Sequence, residues 1–244
     1  KDGFTHSLSL PIKDKVIGIP KEYLDGNIDG EVNEAFLNAV SVMKQLGCRV
    51  EYFSLDVLKY VVPCYYIISN AEASTNLSRF DGVKYGYRAA DFTDVNDMMV
   101  KSRSDGFGAE VKKRIMLGTF AITSENYEKY YKKAMEIRAD LSSSFDRLFD
   151  RYDAVMCPTS PTAAGPLGVK ETDNIRMYLS DIYTVSANIA GLPALSVPCG
   201  FTGEGLPIGV QFMGRRFCDA KVISFAAEYQ RATDCHKWLP KGAI

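Results

Sequence analysis

Between Val16 and Leu55 the apolar residues change period twice. Val16–Pro20 (VIGIP) is a short apolar run closed by proline, and Arg49–Leu55 (RVEYFSL) alternates β-branched and aromatic residues with polar ones, the pattern of strands. Between them Val32, Phe36, Ala39, Val40, Met43 and Leu46 recur at steps of three and four, which predicts a helix over Glu31–Leu46. Asp29 and Glu31 suit its start, and Gly47 lies just past its end. Strand, helix and strand with such short connections form a βαβ unit, whose two strands should be parallel and its crossover right-handed.

The middle of the chain reads as helical. Asp56–Leu77 is apolar and interrupted by Pro63; the loop RFDGVKYGY follows, then helical patterning over Asp94–Arg103, Ala109–Thr119 and Glu125–Arg151. In the last of these Tyr127, Tyr130, Tyr131, Ala134, Ile137, Leu141, Phe145 and Leu148 form one apolar stripe, which is read as core. Strand signals return at Ala154–Cys157, Ala194–Pro198 and Ile208–Met213, with helices over Asn174–Ile189 and Ala220–Ala232. Strands at both ends with helices between predict an α/β fold, a mixed β-sheet flanked by helices, formed as a single unit over residues 1–244. The one loop-rich interval, Pro158–Lys170, is where a boundary would otherwise fall.

Composition narrows the function. A net charge of −1 lacks the basic excess of a nucleic-acid-binding domain, so any nucleic acid would be held through a partner. With 46% hydrophobic and 24% charged residues the chain is globular in composition. No apolar stretch approaches the roughly 20 residues that span a bilayer, and no signal peptide opens the sequence, so a cytoplasmic protein without membrane contact is expected. Six scattered cysteines without a CxxC pair read as reduced, structural thiols. Two histidines, His6 and His236, are a poor supply for a zinc site or a Ser-His-Asp triad, so no metal is expected. The chain opens on Lys1 in a polar, turn-like segment and is expected to begin inside a longer protein.

Phosphate loops, dinucleotide fingerprints, zincin helices and nucleophile elbows are missing from the sequence. Ser41 and Lys44 match the SxxK spacing, but the companion elements are missing and Lys44 falls on a charged helix face. The sequon at Asn76 falls in a predicted helix and is read as chance. Ser142, Ser143 and Ser144 are read as solvent-facing. More informative are Tyr65-Tyr66, Arg114 and Asp181, which interrupt apolar helical segments. A guanidinium matches an α-carboxylate and a carboxylate suits an α-ammonium, so the last two could grip a free amino acid; helix-end ion pairs would explain them as well.

Glu72–Arg88 (EASTNLSRFDGVKYGYR), Ser102–Ile122 (SRSDGFGAEVKKRIMLGTFAI), Tyr152–Ala164 (YDAVMCPTSPTAA), Asn188–Gly200 (NIAGLPALSVPCG) and Gly205–Phe217 (GLPIGVQFMGRRF) together resemble the amidase signature family. The resemblance is strongest to the C-terminal half of its members that serve tRNA-dependent amidotransferases. It implies a glutaminase that passes ammonia to a partner protein, where Glu-tRNA(Gln) or Asp-tRNA(Asn) is activated and amidated. The implied partners are glutamine, the B and C subunits of the amidotransferase and, through one of these, tRNA. No cofactor is implied in this chain, while ATP and Mg belong to the partner.

The family's nucleophilic serine, second serine and lysine base lie in a Gly/Ser-rich region that no segment of these 244 residues matches. No catalytic residue is therefore assigned here, and the chain alone is expected to be inactive. By motif position the resemblance makes Tyr65, Arg114 and Asp181 the substrate-binding residues, with Tyr66 the alternative to Tyr65. Two rivals stay open: another amidase-signature hydrolase acting on small or aryl amides, and a non-catalytic module that joins a partner by its sheet edge.

Overall fold

The computed structural model describes residues 4–8, 10–24, 28–168 and 181–238. After a short helix α1 (Phe4–Ser7) come β1 (Val16–Pro20), a 3-10 turn (Lys21–Tyr23), α2 (Gly30–Gln45) and β2 (Arg49–Phe53). The helix starts where the sequence indicated, because the Asp29 carboxylate accepts the Glu31 N–H at 2.9 Å. It ends at Gly47, whose φ of +88° costs a residue without a side chain little. The two strands are parallel, with Val16 opposite Arg49 and Pro20 opposite Phe53.

The later elements are α3 (Val61–Leu77), α4 (Val95–Gly106), α5 (Ala109–Ile122), α6 (Lys133–Leu148), β3 (Ala154–Pro158), α7 (Ile182–Ala190), β4 (Ala194–Phe201), β5 (Pro207–Met213) and α8 (Asp219–Ala232). Five strands form one mixed sheet in the order β2-β1-β3-β5-β4. β3 lies parallel to β1, and β5 runs antiparallel to both β3 and β4. Every residue of β1 and β3 is buried, as expected of central strands covered on both faces. One face packs Ile17, Ile19, Met156, Val210 and Phe212 against Phe36 and Met43 of α2 and Phe225 and Tyr229 of α8. The contacts divide into two compact units, a sheet unit (residues 1–62 and 139–244) and a helical unit (residues 63–138).

Several boundaries differ from the sequence reading for identifiable reasons. Pro63 does not break its helix: a 3-10 turn covers Asp56–Tyr60, and Pro63 sits in the first turn of α3, where its missing N–H is harmless. The expected helix over Glu125–Arg151 is instead a π-helical turn at Glu128–Lys132 leading into α6; Ala134, Leu141 and Phe145 are buried as expected, while Tyr127 is exposed. Strand β4 runs through Pro198 to Phe201 with a register shift between Pro198 and Gly200, which an edge strand tolerates. Ser144 is buried and held by Arg147 Nη2 at 2.8 Å, so the expectation that all three serines face solvent was wrong at that position. Residues 174–180 of the expected Asn174–Ile189 helix lie outside the described residues.

One charged residue ties the start of the sheet to α8. Asp153 Oδ2 accepts the Val16 N–H at 3.0 Å, and Oδ1 receives Lys221 Nζ at 3.0 Å with Lys15 Nζ at 3.7 Å. Burial alone would raise this carboxyl, but the Val16 bond and the two ammonium groups outweigh it and hold its pKa below the ordinary value of 3.8. A depressed carboxylate stabilises the fold above its unfolded pKa, and the contribution disappears as pH falls through the lower, folded value. Asp153→Asn should therefore lower stability by about 1 kcal/mol at neutral pH and flatten the loss of stability below about pH 4. Acid unfolding followed by circular dichroism checks this; an unchanged acid limb would contradict it.

Candidate functional site

In the helical unit, α3 presents Tyr65 and Tyr66, both partly buried, while Cys64, Ile68 and Ala71 turn inward at helical spacing. Helix α5 comes unusually close to α3. A Cβ on Gly118 would lie 1.9 Å from the Asn70 carbonyl oxygen, so only glycine permits the approach. Ser74 Oγ and Thr119 Oγ1 bond across the same contact at 2.8 Å.

One turn before Gly118, this approach brings Arg114 over the ring of Tyr66, with 5.9 Å from the guanidinium carbon to the ring centroid. Tyr66 in turn meets Tyr65 edge-on at 5.2 Å. Arg114 Nε donates to Glu110 Oε1 at 2.9 Å, and this bond, followed by the influence of Tyr66 and Tyr65, raises the guanidinium pKa further. The bond to Glu110 occupies Nε and leaves the Nη pair, the end of the fork that matches a carboxylate, without a hydrogen-bond partner among the described residues. The structure thus brings Tyr65, Tyr66 and Arg114 together, and the ring under the guanidinium is that of Tyr66.

In the sheet unit, Asp181 is the residue that opens α7. Its backbone oxygen accepts the N–H groups of Thr184 and Val185, both at 3.0 Å, and its carboxylate does not cap the helix. Behind Asp181, α7 is buried on nearly every side and tied down by polar groups that the sequence reading passed over. Tyr183 Oη donates to the Tyr23 carbonyl at 2.9 Å, Tyr23 Oη and Ser186 Oγ are hydrogen-bonded, and Gln211 Nε2 donates to the Tyr183 carbonyl at 2.9 Å and to Cys157 Sγ at 3.3 Å. Burial pushes the Tyr183 phenol up to about 12 and the Cys157 thiol up to about 12, so both stay neutral. Gln211, a lone amide in the apolar strand IGVQFM, was the available signal for this cluster.

A larger cleft of about 460 Å³ in the sheet unit is lined by Thr159, Ser160, Ser196, Pro198, Ile208 and Gly209 among others, with Thr159 Oγ1 and Ser196 Oγ 2.6 Å apart. Among the described residues its lining holds no lysine, histidine or carboxylate, so none of these residues activates a hydroxyl there as nucleophile. Ser41 and Lys44, the SxxK pair, are both exposed on α2. Among the described residues no three His, Cys, Asp or Glu side chains cluster as a metal site, and no helix is long and apolar enough to cross a membrane.

The mixed sheet with its flanking helices agrees with the family whose model, Amidase, matches residues 2–223. The chain belongs to the amidase signature family. Within it, the chain is 48% identical over 231 residues to the A subunit of glutamyl-tRNA(Gln) amidotransferase from Agathobacter rectalis, covering 95% of this chain and 46% of that one. It is 45% identical over 241 residues to the protein of the same name from Thiobacillus denitrificans, covering 99% and 50%. The crystal structure of the Thermotoga maritima glutamyl-tRNA(Gln) amidotransferase A subunit superimposes with a TM-score of 0.68 at 37% identity over 89% of this chain and 42% of that one. A bacterial aryl acylamidase shares the fold, with a TM-score of 0.74 at 19% identity over 96% of this chain and 46% of that one. The chain spans about half the length of the curated relatives it matches.

Proposed function

We propose that this chain is the substrate-orienting half of the glutaminase component of a tRNA-dependent amidotransferase. The observation that carries the reading is the 45–48% identity, over 93–99% of the chain, to relatives that are each named as the A subunit of glutamyl-tRNA(Gln) amidotransferase. Arg114, held by Glu110 and stacked on Tyr66, takes the α-carboxylate of glutamine; Asp181 takes the α-ammonium; Tyr65 or Tyr66 completes the grip. The side-chain amide carbon is then attacked by a serine outside this chain. That serine forms an ester with the γ-carbonyl as the C–N bond breaks, ammonia leaves with the proton supplied by the lysine base, and water hydrolyses the ester to glutamate. The ammonia goes to a partner protein that holds ATP, Mg and the mischarged tRNA, in an assembly with the B and C subunits.

Ammonia release from glutamine tests this division. The chain alone should be silent, and activity should return on refolding with the N-terminal half of its parent. Ammonia release by the chain alone would place a nucleophile within these 244 residues and refute the division of labour.

A further inference from the structure

Helix α7 has nine residues, too few to hold its own direction in water, so the placement of Asp181 depends on what grips its first turn. That grip is polar and comes from two distant parts of the chain. From β5, Gln211 Nε2 donates to the carbonyl of Tyr183, two residues beyond Asp181. From the turn after β1, Tyr23 is linked twice: its carbonyl accepts Tyr183 Oη, and its hydroxyl bonds Ser186 Oγ one helical turn further on. The Tyr23 and Tyr183 rings meet edge-on at 5.2 Å and 82°. Tyr23, Tyr183, Ser186 and Gln211 are all at most 5% exposed.

Apolar residues of the same shape would fill this space without the desolvation that two phenols, a hydroxyl and a carboxamide incur. What the polar set adds is direction, since hydrogen bonds fix angle and register where apolar packing does not. The fixed point is the start of α7, where Asp181 stands. We propose that Gln211, Tyr183 and Tyr23 are positioning residues that aim the Asp181 carboxylate at the substrate's α-ammonium group. The inference rests on the reading of Asp181 given above and extends it to groups that touch no substrate.

The test compares glutamine with 5-amino-5-oxopentanoate, which keeps the amide and carboxylate but lacks the ammonium. Both are titrated calorimetrically into the full 244-residue chain, alone and mixed with an N-terminal half whose nucleophilic serine is replaced by alanine, so that neither ligand is hydrolysed. Gln211→Met and Tyr183→Phe should each weaken glutamine at least about tenfold and leave the ammonium-free ligand within about twofold, because only the ammonium contact is misplaced. Asp181→Asn should erase the same preference. If Gln211→Met and Tyr183→Phe weaken both ligands equally, or neither, while Asp181→Asn erases the preference, the network is merely structural and the inference falls. If Asp181→Asn leaves the preference intact, or glutamine binds in neither preparation, the reading of Asp181 falls first and takes the inference with it. Should Gln211→Met melt without cooperativity, Tyr183→Phe, which removes a single oxygen, decides the matter.

Discussion

Arg114→Ala is expected to weaken glutamine binding by about thirty- to a thousandfold, since a charge-assisted fork to a carboxylate is worth roughly 2–4 kcal/mol where one partner is left unmatched. The same substitution should barely disturb the fold. Its bond to Glu110 is an exposed pair four residues apart on one helix, worth about 0.3–0.5 kcal/mol, and the stack on Tyr66 adds about 0.5–1 kcal/mol at a site where the Arg114 side chain is 38% exposed. The two effects are therefore separable by a titration and a melt on one sample. Arg114→Lys should fall between, because an ammonium keeps the charge and loses the planar fork. Glutaminamide, whose α-carboxylate is replaced by an amide, supplies the control: its weak binding should not change in Arg114→Ala. Equal losses for both ligands would show that Arg114 does not meet the carboxylate. No loss at all would favour an amidase of small or aryl amides over one specific for an amino acid.

The sequence showed some of this and not the rest, for reasons visible at individual positions. Elements whose ends are set by local chemistry were readable: Asp94 Oδ1 accepts the Asp97 N–H at 3.0 Å and starts α4, as Asp29 starts α2, and both helices were placed within a few residues. The parallel β1-α2-β2 unit and the mixed sheet followed from changes of period alone. Proline was read too strictly. Its cost depends on whether its N–H is needed, and neither the first turn of α3 nor the edge strand β4 needs it. Arg114 and Tyr66 could be named as candidates, but their stacking depends on Gly118 letting α5 approach α3, a contact between residues 48 positions apart in sequence from Asn70 to Gly118. Of the Tyr23–Tyr183–Gln211 cluster only Gln211, a lone amide in an apolar strand, gave a signal; Tyr23 and Tyr183 each read as an ordinary core aromatic, so their pairing was not legible.

Phe212→Ala should be the most damaging single change to the sheet unit, costing about 3–5 kcal/mol. Phe212 is fully buried on β5, opposite Met156 of β3 and Leu195 of β4, and its ring faces Phe225 and Tyr229 of α8 at 6.2 and 6.3 Å. Truncation leaves a void ringed by residues from three strands and a helix that are separate in sequence, and rigid sheet pairing limits how far they can collapse into it. Against a typical total of about 5–15 kcal/mol, the loss should lower the melting temperature by roughly 10 °C or more. The exposed Leu37→Ala on α2 should stay within about 0.5 kcal/mol and serves as the reference in the same melts. If Phe212→Ala melts like that reference, the packing of α8 on this sheet face is wrong. The neighbouring position makes the comparison sharper: side chains alternate along β5, so Phe212 and Gln211 stand on opposite faces of one strand. Phe212→Ala should therefore cost stability through the α2–α8 core, and Gln211→Met should cost ligand selectivity through the first turn of α7. Two adjacent residues would then separate what holds the sheet together from what aims Asp181.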